Sequence, residues 1–329
     1  MTFTPEQIEA RKCGIHPGVP FDEYKKIDAV NASILLWGRC SAAHMKAAID
    51  GLIEHDSPDL AFGRAFHART LEPDVFAERF IASGPCSEQL KSGPRKGEPC
   101  GNGGAVMRDG QWLCGVHGKG IEPLSPPIEI ITPDEAARID GMNTSVRAHP
   151  IISQIRRRGG FETTVLGEID NVVCKVRFDK LIIEGRPVAL DLKKCRLGHA
   201  IPHKIHRSVF DYGYHVRAAF YQDVLQSAGG PKDVPYILVY VEEQPPYAVS
   251  CVELDDEWRE IGRLEYRRLL GVYRHGVATG EWPAYTDEDG KVDVWQSHPP
   301  QWVVDRTNDL PVTKDLVEVP STPDDDIVW

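Results

Sequence analysis

Val172-Val173-Cys174-Lys175-Val176-Arg177-Phe178-Asp179-Lys180-Leu181-Ile182-Ile183, Glu184-Gly185-Arg186 and Pro187-Val188-Ala189-Leu190-Asp191-Leu192-Lys193 follow one another as two β-rich runs around three loop residues. A loop of that length, with Gly185 or its neighbour in the left-handed region, closes a hairpin. Ile183 is then expected to pair with Pro187, so that paired residue numbers add to 370. This sum sets Asp179 against Asp191 and Arg177 against Lys193. The period of two puts Asp191 and Lys193 on one face and Val188, Leu190 and Leu192 on the other. Directly opposed like charges destabilise a sheet by up to about 1 kcal/mol, and a hard divalent cation with oxygen ligands relieves them. The residues alone leave a second reading open, in which both aspartates pair with Arg177 and Lys193 on a wet sheet face.

Outward from the hairpin, hydrophobic spacing predicts helices over 31–49 with Asn31 as cap, over 60–71 and over 133–148. Strands are expected over 161–166, 236–241 and 248–254, with helices over 210–225 and from the caps Asp255 and Asp256 to about Val277. Beyond Trp282 the chain reads as Pro-rich and irregular. This order predicts an α/β (α+β) fold, a mixed central sheet flanked by helices. The expected parts are residues 1–82, a Cys-rich insertion at 83–127, a core at 128–303 and an acidic tail at 304–329.

The chain has 329 residues, 41% of them hydrophobic, which suits a packed globular protein. It has no apolar run long enough for a bilayer and no signal-peptide pattern at its start, so a soluble, cytoplasmic protein is expected. The net charge of −11 argues against a general nucleic-acid coat. That charge is unevenly placed: residues 304–329 hold seven acids against Arg306 and Lys314, while Arg156-Arg157-Arg158 and Lys193, Lys194, Arg196, Lys204 and Arg207 make the middle locally basic. Such a set could face phosphates, although on charge alone a solvated face is the preferred reading. The ending Asp324-Asp325-Asp326-Ile327-Val328-Trp329 has the acidic and apolar make-up of a docking tip for a partner protein, with a solubilising or packed tail as the blander reading.

Eight cysteines are too few for a disulfide scaffold of this length. Cys86, Cys100, Cys114 and His117 stand in a Gly-rich stretch, the last two at knuckle spacing. Three thiolates and an imidazole suit a closed structural Zn2+ site.

The segments Lys175–Asp179, Asp191-Leu192-Lys193 and Tyr212–Tyr221 resemble the PD-(D/E)XK nuclease superfamily. More narrowly they are similar to RecE-type exodeoxyribonuclease VIII-like proteins of phages and prophages. The resemblance continues in Asn31-Ala32-Ser33, Ala61–His67 and Glu281–Tyr285, and covers most of residues 20–303 apart from the Cys-rich insertion. It implies a restriction-endonuclease-like fold and a metal-dependent DNA exonuclease of phage or prophage recombination, acting on linear duplex DNA. A catalytically silent DNA-binding or adaptor protein is the alternative. By position, it implies that His67, Asp179, Asp191 and the Leu192 carbonyl hold Mg2+ or Mn2+, with Glu162 beside them, and that Lys193 orients and helps deprotonate the attacking water. Arg217, Tyr221 and Lys194 are the expected DNA contacts. RecE-type relatives form closed rings, so a homo-oligomer and a partner such as a single-strand annealing or single-strand-binding protein are also implied. Arg217 departs from the family's Gln-x-x-x-Tyr pattern, and Phe178 stands where many members have proline.

Overall fold

The structure is a computed structural model that describes residues 13–53, 57–122, 128–155, 158–285 and 296–308. Arg156, Arg157 and the acidic tip at 324–329 lie outside the described residues. In chain order the elements are β1 (Gly14–His16), α1 (Phe21–Lys26), α2 (Ala32–Trp37), α3 (Ala42–Ile49), α4 (Pro58–Leu71), α5 (Pro73–Arg79), β2 (Phe80–Ala82), β3 (Val106–Arg108) and β4 (Gln111–Leu113). They continue as β5 (Glu129–Ile131), α6 (Pro133–Ala148), α7 (Pro150–Ile155), β6 (Gly160–Ile169), β7 (Val172–Ile182) and β8 (Val188–Cys195). The last are α8 (Ile205–Asp211), α9 (Tyr214–Ser227), β9 (Tyr236–Glu242), β10 (Val249–Glu253), α10 (Asp256–Thr279) and α11 (Gln301–Asn308). Residues up to Ala284 form one compact unit, and those from Tyr285 onward, including α11, form another. No helix among the described residues is long and apolar enough to cross a membrane.

Six strands make the central sheet in the order β1-β6-β7-β8-β9-β10. Only β8 and β9 run parallel, joined by a crossover through α8 and α9. The hairpin register follows the expected sum, Lys180 with Leu190, Leu181 with Ala189 and Ile182 with Val188, and Gly185 is left-handed at φ 73°. Two apolar cores sandwich the sheet. One joins Val176, Phe178, Ala189 and Leu238 to α2, α9 and α10. The other joins Leu190, Leu192, Val239 and Val241 to α4 and α6.

Two helices expected to be continuous are broken, and in both places a close approach explains the break. The 31–49 segment divides at Gly38, where a Cβ would lie 2.4 Å from Met45 Cε and 2.9 Å from Leu269; Ser41 then caps α3 through its side chain. The 210–225 segment divides at Gly213, left-handed at φ 65°, where a Cβ would meet Leu36 at 2.5 Å. The expectation of irregular chain beyond Trp282 is corrected by α11.

Candidate active site

Asp179 sits at an interruption in both of its ladders. Pairing of β6 with β7 runs from Gly160–Leu181 to Ile169–Val172 and skips only Glu162 and Asp179. On the other side the β7–β8 ladder ends at Lys180–Leu190, one pair short of Asp179 and Asp191. Three carboxylates from three adjacent strands therefore share one row. Glu162 has φ +47°, a strained value for a non-glycine residue in a strand. Strain of that kind costs on the order of 1 kcal/mol and gathers at functional sites.

Around this row the side chains converge. On α4, which Ser57 caps and Phe62, Ala65 and Phe66 anchor in the core, His67 turns toward the sheet. Its Nε2 lies 2.8 Å from the Leu192 carbonyl, which can only accept, so Nε2 carries the proton. Nδ1 then faces Asp179 Oδ2 at 3.6 Å. The ligand atoms of His67, Glu162 and Asp179 all lie within 4.8 Å of one another, close enough for one cation to reach all three. Asp179 also accepts the Leu192 amide at 2.7 Å. Burial pushes the Asp179 carboxyl up and the neighbouring Asp191 charge adds to this, while His67 opposes it. Burial, then Asp179, pushes Glu162 up to about 8 despite the Arg177 guanidinium. Carboxylates that resist ionisation for want of a counter-charge are what a divalent ion stabilises. The donor set, an imidazole with carboxylates, suits Mg2+ or Mn2+.

Several expected contacts are redistributed. Asp191 does not belong to the three-residue cluster; its carboxylate pairs with Lys193 Nζ at 2.5 Å. The Leu192 carbonyl accepts from His67 Nε2 and keeps a second lone pair. Arg177 does not face Lys193: it pairs with Glu162, reaches Glu72 at 3.4 Å and donates to the Val19 carbonyl at 2.5 Å. The ladder stops before the pair 177 and 193 is reached, which frees Arg177 to turn the other way. Burial would lower the Lys193 ammonium, but the Asp191, Tyr214 and Asp179 charges outweigh it and hold it protonated. As placed, Lys193 is held by Asp191 at the edge of the acid row. Lys194 lies between Asp59 at 2.5 Å and Glu243 at 3.4 Å, so much of its charge is answered by the protein.

Arg217 and Tyr221 stand one turn apart on α9. Arg217 is half-buried; burial would lower its guanidinium, and the Tyr221 and Asp191 charges raise it instead. Tyr221 packs edge-on against Phe178 with ring centroids 5.1 Å apart. Tyr214, which the residue-level reading did not single out, sits with its ring 5.1 Å from Lys193 Nζ and tilts against the exposed Tyr212.

The row opens into a cleft of about 1440 Å3 whose lining includes ten lysines and arginines against five carboxylates. Lys193, Lys194, Arg196, Lys204 and Arg207, the locally basic set of the sequence, all line it. On a chain of net charge −11 this concentrates positive charge in one place.

Cys86, Cys100, Cys114 and His117 also come together, with all four ligand atoms within 4.8 Å of one another. They lie between β2 and β5, far along the chain from the acid row.

A family model described as a PDDEXK-like domain of unknown function (DUF3799) matches residues 23–295. Among solved structures, the crystal structure of a Eubacterium rectale protein described as a "Putative exonuclease" overlays with a TM-score of 0.51 at 13% identity, covering 94% of this chain and all of that one. A second, described as SSO0001, has a TM-score of 0.24 at 18% identity over 41% of this chain and 60% of its own. No curated protein matches the sequence. The first overlay agrees with the mixed sheet flanked by helices, and the family match spans every strand of that sheet except β1: the chain belongs to the PDDEXK-like DUF3799 family, within the PD-(D/E)XK nuclease-like fold.

Proposed function

We propose that this protein hydrolyses phosphodiester bonds of DNA with the help of a divalent cation, acting as an exonuclease on linear duplex ends in phage or prophage recombination. The observation that carries the reading is the acid row of Glu162, Asp179 and Asp191, of which Glu162 and Asp179 line, together with Lys193, a cleft rich in lysine and arginine. His67, Glu162 and Asp179 would hold the ion, with Asp191 joining them when Lys193 turns to the substrate. A bound Mg2+ or Mn2+ supplies Lewis-acid polarisation of the phosphate and a more acidic water. The Lys193 ammonium, released from Asp191, fixes a phosphate oxygen and balances its growing charge. Cleft lysines and arginines bind the backbone without reading sequence, as an end-degrading enzyme requires. Ring assembly and a single-strand annealing or single-strand-binding partner, in the cytoplasm, complete the proposal.

The deciding assay incubates linear and covalently closed duplex DNA with the protein and Mg2+, with Lys193→Ala alongside. Loss of the linear substrate alone, absent in Lys193→Ala, is the expected result. Both substrates bound but uncut, in Mg2+ and in Mn2+, would instead make this a silent DNA-binding member of the fold, a reading favoured by Arg217 in the usual glutamine position.

Arg217 gives a second expectation. Arg217→Ala is expected to weaken DNA binding about tenfold, the worth of one charge-assisted hydrogen bond, whereas Arg217→Gln retains most cleavage. Equal affinity of Arg217→Ala and wild type in a fluorescence-anisotropy titration would remove its phosphate contact.

A further inference from the structure

The stretch between β2 and β5 folds without an apolar core of its own. Its buried hydrophobic cluster is Cys86, Cys100, Leu113 and Cys114, with Leu90, Val106 and Ile121 packed around them, so three of the cluster's four buried side chains are thiols. The hairpin of β3 and β4 presses Trp112 onto Gly84 and Gly104, where a Cβ would lie 2.6 Å and 2.7 Å from the indole. The turn after Cys114 brings the Gly118 amide to the Cys114 carbonyl at 2.8 Å and carries His117 back over the thiols. A module of this size needs another source of folding free energy.

The four side chains have the dimensions of a tetrahedral metal site. Zn–S bonds of about 2.3 Å and a Zn–N bond of about 2.0–2.1 Å give edges of about 3.8 Å between sulfurs and about 3.6 Å between sulfur and nitrogen. In the structure Cys100 Sγ and Cys114 Sγ are 3.8 Å apart, and His117 Nδ1 is 3.3 Å from Cys86 Sγ and 3.5 Å from Cys114 Sγ. All four ligands come from the protein and three are buried, so no position is left for a reacting water. That is the signature of a structural ion rather than a catalytic one.

We propose that Cys86, Cys100, Cys114 and His117 hold one structural Zn2+ that folds the residue 83–122 module and, through it, steadies the neck on which the module stands. The neck is the parallel pair β2 and β5, extended by the Ser83 amide donating to the Ile131 carbonyl at 2.8 Å. Glu129, the first residue of β5, accepts from Arg64 at 3.0 Å and Arg79 at 2.7 Å, and both arginines line the cleft. Metal binding at the module is thus linked to the position of two cleft cations, and none of this depends on the chain being a nuclease.

Elemental analysis of the full-length protein, purified without chelator, is expected to find about one zinc per chain. Cys114→Ser and His117→Ala should lose it, His117→Cys should regain it as a four-thiolate site, and Cys40→Ser, an exposed cysteine outside the cluster, should keep it. Limited proteolysis of the zinc-free variants is expected to cut within residues 83–122 while the central sheet stays protected. If the variants are insoluble, Co2+ exchanged into the wild-type chain should show the thiolate-to-cobalt charge-transfer band and the intense visible bands of a tetrahedral site. Zinc absent from the wild type, a Cys100–Cys114 disulfide in its place, zinc retained by Cys114→Ser, or an unchanged cleavage pattern in the zinc-free variants would each overturn the proposal.

Discussion

Asp179→Asn is expected to abolish DNA cleavage, by about a thousandfold or more, and to yield a protein that melts higher than its parent in metal-free buffer. The amide keeps an oxygen for the Leu192 amide that Asp179 now accepts at 2.7 Å, so the strand geometry survives. What it loses is a buried negative charge between Glu162 and Asp191. Folded-state values raised above the ordinary carboxylate range mean that the fold favours the protonated forms. Stability from these groups is therefore present in acid and is lost as pH rises through the folded values. For Glu162 that window runs from its ordinary 4.5 to about 8. The metal-free parent should lose melting temperature across this range, and Asp179→Asn, which removes the largest repulsion on Glu162 after burial itself, should show a flatter profile. Mg2+ should raise the parent's melting point at pH 8 and leave the variant's unmoved. Thermal scans from pH 5 to 9 with and without Mg2+ check all of this; a variant that melts lower than its parent at every pH would show the carboxylate to be stabilising instead.

Gly262→Ala is expected to destabilise the fold by about 2 kcal/mol or more, lowering the melting temperature by roughly 5 °C or beyond. On α10 this residue lies against α9, and a Cβ there would be 2.1 Å from the His215 carbonyl oxygen and 3.0 Å from the Val216 amide nitrogen. These are backbone atoms that cannot rotate away, so the two helices must separate. Alanine's better helix propensity returns only about 1 kcal/mol. Because α9 carries Tyr214, Arg217 and Tyr221, DNA binding should weaken along with stability. Gly271→Ala on the same helix, with nothing within 4 Å of the new methyl group, should be neutral or slightly stabilising. Equal melting temperatures for the two variants would remove the close contact from the account.

The hairpin was legible because its register is set locally. A short loop with one left-handed glycine fixes the pairing, and Asp179 and Asp191 follow by counting. The neighbouring pair carried an equally local signal: Asp170 and Asn171, both with positive φ, make the two-residue turn that sets Glu162 opposite Asp179. Counting from that turn would have placed Glu162 without any family likeness. The helix breaks at Gly38 and Gly213 were not legible, because hydrophobic spacing runs on through both and only the approach of Met45 and Leu36 forces the chain to turn. The partners of Arg177 were hidden for a similar reason. Glu72 and Val19 are more than a hundred residues away along the chain, and the ladder that should have held Arg177 opposite Lys193 opens at Asp179. Lys25, Arg64 and Arg79 join the cleft from segments that carry no basic run. The cysteine site was readable in composition, but its closed geometry depends on loops that have no periodicity.

Titration of Mn2+ into the full-length protein, followed by electron paramagnetic resonance of the free ion, tests most directly whether the acid row is a cation site. Saturable binding by the parent, lost in Asp179→Asn and weakened in His67→Ala, is the predicted result. Mn2+ that stays free with the parent, or that binds Asp179→Asn equally well, would contradict a cation held by His67, Glu162 and Asp179.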